Sequence, residues 1–173
     1  MNTGDKKLVK GNLNGQVYPS STGKYIMWYD RKARNYFAWD GNSVKNISEK
    51  IKVPLYNEEN DSPDDPGNYG VVKWMRNDEA VFVYDRYGVW KVNPDANQLP
   101  VNIINGRDRK IRYRYVQVDP EERYIARDQQ IVLTTFNEVT KKAGLWETKY
   151  KDDEYVGKVF LPIQITENPT LTR

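Results

Sequence analysis

Five carboxylates crowd into eight positions of this chain: Glu58, Glu59, Asp61, Asp64 and Asp65. Acids at that density can grip a ligand ammonium, chelate a hard cation, or simply keep a loop in water. Paired carboxylates suit an ammonium, which offers three donors for charge-assisted bonds about twice as strong as neutral ones. Calcium favours oxygen ligands at alternating positions around a Gly, and this stretch lacks that alternation. Pro63, Pro66 and Gly67 mark it as exposed and turn-rich. A solvated acidic loop is the plainest reading, with Glu58 and Glu59 as the candidates for substrate amine binding.

A basic run answers it further along, in Arg107, Arg109, Lys110, Arg112 and Arg114, interrupted by Asp108. From Ile111 the residues alternate. A strand there puts Ile111, Tyr113 and Tyr115 on one face and Arg112 and Arg114 on the other. Arginines interleaved with aromatics can stack on and neutralise single-stranded nucleic acid. They can also hold a substrate carboxylate or carbonyl, or form the wet face of a strand beside acidic loops. Lys plus Arg is 27 against 24 for Asp plus Glu, a net charge of +3. A nucleic-acid binder shows a larger basic excess, so no nucleic-acid partner is expected.

Two absences weigh more. The chain has no His and no Cys. Without His there is no Ser-His-Asp arrangement, whose base must titrate near neutrality, and no imidazole zinc site. Without Cys there is no disulfide, iron–sulfur cluster or thiol nucleophile. The one Ser-x-x-Lys spacing, Ser21-Thr22-Gly23-Lys24, lies in a predicted turn, Thr3 is not terminal, and no Gly-x-Ser-x-Gly elbow occurs. No catalytic residue, metal or cofactor is expected in this chain, and the chain alone is expected to hydrolyse no peptide or ester.

Any binding residues must be held by a framework, and its type is legible. At 173 residues the chain suits one domain. Mean hydropathy is low, at -0.86, but Tyr 13, Trp 5 and Phe 4 supply rings enough for a core. The longest apolar runs are about five residues where a membrane helix needs about 20. The start, Met1 to Lys10, lacks the apolar run of a signal peptide. No membrane partner is expected.

Short runs rich in Val, Ile, Tyr, Phe and Trp recur between Gly, Pro, Asn and Asp clusters, as strands do. They are Lys24–Tyr29, Asn35–Trp39, Gly70–Trp74, Ala80–Tyr84, Gly88–Val92, Tyr113–Val118, Arg123–Ala126, Ile131–Asn137 and Gly144–Tyr150. Three stretches align. Gly23–Asp30 matches Asp78–Asp85, 55 positions later, and both match Glu121–Asp128, 43 positions further on. Each runs from a polar turn through an apolar strand to an Asp, here Asp30, Asp85 and Asp128. Such an Asp is most simply a turn residue bonding nearby backbone N–H groups. Each is preceded by a short strand and followed by an aromatic one, so Trp28, Trp39, Trp74, Trp90 and Trp146 read as packing between sheets rather than as a carbohydrate platform.

Strands and turns at a period of 40 to 55 residues are the pattern of β-propeller blades. A β-sandwich of similar strands is the alternative. The predicted fold is all-β, with about three four-stranded antiparallel blades near 1–50, 51–106 and 107–173. Rings have about four to eight blades. The termini, Leu8–Tyr18 and Tyr155–Ile165, are both needed to complete the first and third blades, which points to part of a larger propeller.

The first unit, Ser20-Ser21-Thr22-Gly23-Lys24-Tyr25-Ile26-Met27-Trp28-Tyr29-Asp30, resembles a propeller blade of bacterial prolyl oligopeptidase-type serine peptidases, relatives of dipeptidyl peptidase IV. So do Val53–Pro63, Val83–Trp90 and Phe136–Gly144, and in order the resemblance covers about residues 15 to 150. It implies a non-catalytic propeller portion that gates and positions peptide substrates for an α/β-hydrolase domain, a partner carried by the parent chain. It also implies a Glu-Glu pair for the substrate's free amine, for which Glu58 and Glu59 stand here, and a periplasmic or extracytoplasmic setting. The aromatic-rich helix usual around that pair is missing. A stand-alone propeller acting as a binding scaffold is the competing reading.

Overall fold

The computed structural model describes residues 6–151 and 154–162, the last strand by its backbone. Twelve strands form three four-stranded antiparallel sheets, each with its strands in chain order. Sheet 1 is β1 (Gly15–Pro19), β2 (Ile26–Asp30), β3 (Asn35–Trp39) and β4 (Val44–Asn46). Sheet 2 is β5 (Val71–Trp74), β6 (Val81–Tyr84), β7 (Gly88–Val92) and β8 (Val101–Asn105). Sheet 3 is β9 (Ile111–Val116), β10 (Gln130–Asn137), β11 (Ala143–Lys151) and β12 (Glu154–Pro162). The chain is all-β, in consecutive blade-like sheets that do not close into a barrel.

The β period of two sorts the side chains into rows. Met27, Tyr29, Tyr36 and Ala38 of sheet 1 meet Val81, Val83 and Val92 of sheet 2, with Trp74 stacked on Tyr25 at 6.1 Å between ring centres. The opposite rows of sheet 2, with Phe82, Tyr84, Val89 and Ile104, meet Tyr113, Ile131, Leu133 and Trp146 of sheet 3. Burying each such side chain contributes about 1.5–3 kcal/mol, so these two interfaces are the main apolar stabilisation. Three of the five tryptophans, Trp74, Trp90 and Trp146, sit in them. Trp28 instead lies on the outward face of sheet 1, stacked on Phe37.

Polar latches join the sheets at their turns. Asp78 is buried, and it accepts bonds from the Ser21 hydroxyl at 2.6 Å and from the Thr22 hydroxyl. Asn77 and Asp78 both take the left-handed conformation, φ 59° and 57°, to present that carboxylate. Burial pushes the Asp78 carboxyl up, but the bonds from Ser21 and Thr22 outweigh it and hold it below the usual range.

One expected strand does not form. Arg123–Ala126 is a loop, in which Ile125 makes a single parallel bridge with Met75. Its N–H donates to the Trp74 carbonyl at 2.8 Å, and its carbonyl accepts from Arg76 N–H at 3.0 Å. Ile125 is fully buried, so its apolar character marks a plug between sheets 2 and 3 rather than a strand. The third repeat therefore shifts: β10, not Glu121–Asp128, occupies the place of β2 and β6. The fourth strands, β4 of three residues and β8 of five, are partly polar, and the strand signal passed over them. The expected closing segment Tyr155–Ile165 falls largely on β12, with Ile163–Ile165 outside the described residues.

Candidate functional site

The acidic loop is exposed from Asn57 to Asp64, as expected, and it is also internally bonded. Tyr56 bridges Asn68, and Asn57 N–H donates to the Gly67 carbonyl at 2.8 Å, closing the loop at its neck. Inside it, Asn57 Oδ1 accepts from Glu59 N–H at 3.1 Å, while Asn60 Nδ2 donates to the carbonyls of Ser62 and Asp64, both at 3.1 Å. These Asx contacts satisfy backbone groups that a loop leaves without a ladder. The Tyr69 hydroxyl accepts from Glu58 N–H at 2.9 Å. The loop thus delivers Glu58 and Glu59 to the rim of sheets 2 and 3.

Two arginines meet them there. Glu59 Oε1 lies 2.6 Å from Arg86 Nη2, and Glu58 Oε1 lies 3.7 Å from Arg107 Nη1. Arg86 follows β6 and is aimed by Asp85, which is buried and accepts from Tyr87 N–H at 2.6 Å and Gly88 N–H at 3.0 Å. Trp90 Nε1 donates to the other Asp85 oxygen at 2.8 Å, and Arg107 Nη2 lies 3.3 Å from the first. Arg86 and Arg107 stand over the Tyr87 ring, 5.1 and 5.3 Å from its centre.

Glu138, just past β10, ties sheet 3 to this rim. It accepts from Arg86 Nη2 at 2.8 Å and from the Tyr87 hydroxyl at 2.7 Å, and lies 3.2 Å from Arg112 Nε. Burial pushes the Glu138 carboxyl up, but Arg86 and Tyr87 outweigh it and hold it below its ordinary 4.5. Its bonds to Glu138 and Glu59 push the Arg86 guanidinium up. A carboxyl lowered on folding stabilises above its unfolded pKa and loses that contribution as pH falls through the lower folded value. Glu138→Gln is therefore expected to flatten the loss of stability below pH 4.5, measured as urea midpoints across an acid series. An unchanged acid limb would remove Glu138 from this role.

Between these groups runs an open groove of about 360 Å³, lined by Glu59, Arg86, Lys110, Arg112, Phe136 and Glu138. Arg112 covers the Phe136 ring at 4.9 Å. Arg114 is turned inward, over the ring of Tyr84 at 4.7 Å, and burial lowers its pKa. The alternation expected from Ile111 holds for Tyr113 and Tyr115, which pack toward sheet 2, and for Arg112 on the other face, whereas the Arg114 side chain reaches back to Tyr84 of sheet 2.

The arrangement can bind charge of either sign, because its carboxylates and guanidiniums alternate along one edge. Asp30 and Asp85 hold their turns through backbone N–H bonds, as expected, Asp30 from Ala33 at 3.1 Å. Among the described residues no three acidic side chains converge to hold a metal ion. No described helix is long and apolar enough to cross a membrane. Sequence reasoning did not find Arg86, Tyr87 and Glu138. Their only signal was Arg86-Tyr87 directly after the repeat-ending Asp85. Set against family models, curated proteins and solved structures, the chain matches none.

Proposed function

We propose that this chain is a non-catalytic propeller portion that binds short peptides by their free amine and positions them for the α/β-hydrolase domain of a parent serine peptidase. The observation that supports it is the placement of Glu58 and Glu59 together on one rim, beside an open groove. Their arginine partners do not exhaust them. An ionised carboxylate offers about four lone-pair sites, and Glu59 is 68% exposed while accepting from Arg86. The arginines hold the two carboxylates in place, and an ammonium takes the remaining lone pairs.

The bonds from Arg86 and Arg107 also favour a second reading, in which the rim is a clamp within a stand-alone scaffold propeller. Calorimetric titration separates the two. A free-amine tripeptide is expected to bind, its N-acetylated form is not, and Glu58→Gln with Glu59→Gln should weaken binding about tenfold or more, the size of one lost charge-assisted contact. Equal heats for both peptides would favour the clamp. With chromogenic dipeptidyl and aminoacyl substrates, the chain alone is expected to release no product. Turnover abolished by one substitution in this chain would overturn the non-catalytic part.

A further inference from the structure

The groove beside Glu59 holds more positive charge than its carboxylates use. Its lining brings Arg86, Lys110, Arg112 and Lys141 together with only two acids, Glu59 and Glu138. Arg86 is spent on both acids, at 2.6 and 2.8 Å. Glu138 is spent as well, since it also accepts from the Tyr87 hydroxyl at 2.7 Å. The lining therefore carries two positive charges in excess.

The remaining cations are held in place but not partnered. Lys110 immediately precedes β9, and Lys141 lies in the turn between β10 and β11. The Lys110 carbonyl accepts from Glu138 N–H at 2.9 Å, and Lys141 N–H donates to the Asn137 carbonyl at 2.8 Å. Both lysines take the left-handed conformation, φ 52° and 60°, where Gly or Asn is usual. Among the described residues neither ammonium has a hydrogen bond or an ion pair. Arg112, in the same lining, lies on the Phe136 ring, which orients its fork without using its donors. Its Nε is buried 3.2 Å from Glu138 Oε1, yet it makes no hydrogen bond. A buried donor without an acceptor is costly, and like charges gathered together repel. An anionic oxygen group in the groove relieves both.

We propose that Lys110, Arg112 and Lys141 hold the free C-terminal carboxylate of the peptide whose amine Glu58 and Glu59 take, so that the site selects short peptides with both ends charged. A guanidinium fork can give a carboxylate two parallel bonds, and the lysines add charge beside it. At about 360 Å³ the groove is near the small end of ligand sites, which run from about 300 to 1,000 Å³. Glu59 lines it together with the three cations, and a tripeptide spans at most about 10 Å. One short ligand can therefore reach both ends, where a longer chain would carry its carboxylate past the lysines. The inference rests on the peptide reading for the amine end and adds the carboxylate end.

Calorimetry with trialanine, its C-terminal amide, its N-acetyl form and the doubly blocked form reads the two ends separately. Amidation is expected to weaken binding about tenfold or more, the size of one lost charge-assisted contact. Lys110→Gln with Lys141→Gln, both at exposed positions, should remove most of that preference for the acid, with circular dichroism unchanged. Arg109→Gln with Lys142→Gln removes the same charge from outside the groove lining and should leave the preference intact. Equal affinity for acid and amide, with acetylation still abolishing binding, would overturn the carboxylate site and leave the amine reading standing. An acetylated acid that binds as tightly as trialanine, with its amide weaker, would support the carboxylate site and overturn the amine reading. A preference undiminished by the two lysine changes, or lost equally on changing Arg109 and Lys142, would overturn the inference. Silence with all four peptides would overturn both readings.

Discussion

Asp85→Ala is expected to cost about 3–5 kcal/mol of folding stability, the range for stripping one partner from a buried charged cluster. The Asp85 side chain is only 2% exposed. Its loss leaves the Tyr87 and Gly88 N–H groups and the Trp90 indole N–H buried without acceptors, and removes one anion beside Arg107. Each orphaned donor costs about 1–3 kcal/mol. Asp85→Asn should fall between, since its amide oxygen still accepts from the backbone while its NH2 group faces the Trp90 donor. Urea unfolding followed by tryptophan fluorescence measures both. A shift for Asp85→Ala below about 1 kcal/mol, ordinary for a surface site, would show that the turn does not depend on this carboxylate.

Gly106→Ala is expected to be comparably severe, for a steric reason. A Cβ at Gly106 would lie 2.1 Å from the Ile111 carbonyl oxygen, 2.7 Å from that of Tyr87 and 2.8 Å from the Tyr113 ring. Two of these are backbone atoms and cannot rotate away. The Gly106 N–H donates to the Tyr87 carbonyl and its carbonyl accepts from Ile111 N–H, at 3.2 and 3.0 Å. The displacement therefore breaks the join between sheets 2 and 3 just where Arg107 leaves it. A loss of about 3 kcal/mol or more is expected, above the 1–3 typical of overpacking. Gly41→Ala is the comparison: nothing lies within 4 Å of its Cβ, and only its φ of 96° opposes the change. If Gly41→Ala proved the costlier of the two, close approach would not be what position 106 requires.

The sheets were legible because their strands obey local rules. Val81–Tyr84 and Asn35–Trp39 are short, β-branched or aromatic, and bounded by turn residues. The alignment of Gly23–Asp30 with Asp78–Asp85 even places Met27 with Phe82 and Trp28 with Val83 on matching faces. It failed at Glu121–Asp128 because an isolated buried Ile imitates a strand when its neighbours are Tyr124 and Ala126. Val44–Asn46 and Val101–Asn105 stayed hidden because an edge strand needs only one side of its ladder and tolerates Lys and Asn.

The site was half legible. Acid density singles out Glu58 and Glu59, a purely local property. Their partners lie at sequence separations no local pattern reports: Arg86 is 27 residues from Glu59 and 52 from Glu138. Those pairings come from tertiary structure, which swings the inter-sheet loop over the end of sheet 2 and brings the turn after β10 beside it. The structure places Glu59 in the lining of the groove and Glu58 beside Arg107.

Mapping a free-amine tripeptide on the protein by backbone amide and arginine Nε–H NMR shifts tests the central claim most directly. Binding at the rim should move Glu58, Glu59, Arg86 and Arg107 in one saturating curve, with sheet 1 silent. The N-acetylated peptide should move none of them. Shifts scattered over the surface, or equal shifts with the acetylated peptide, would contradict the assignment of this rim to peptide amines.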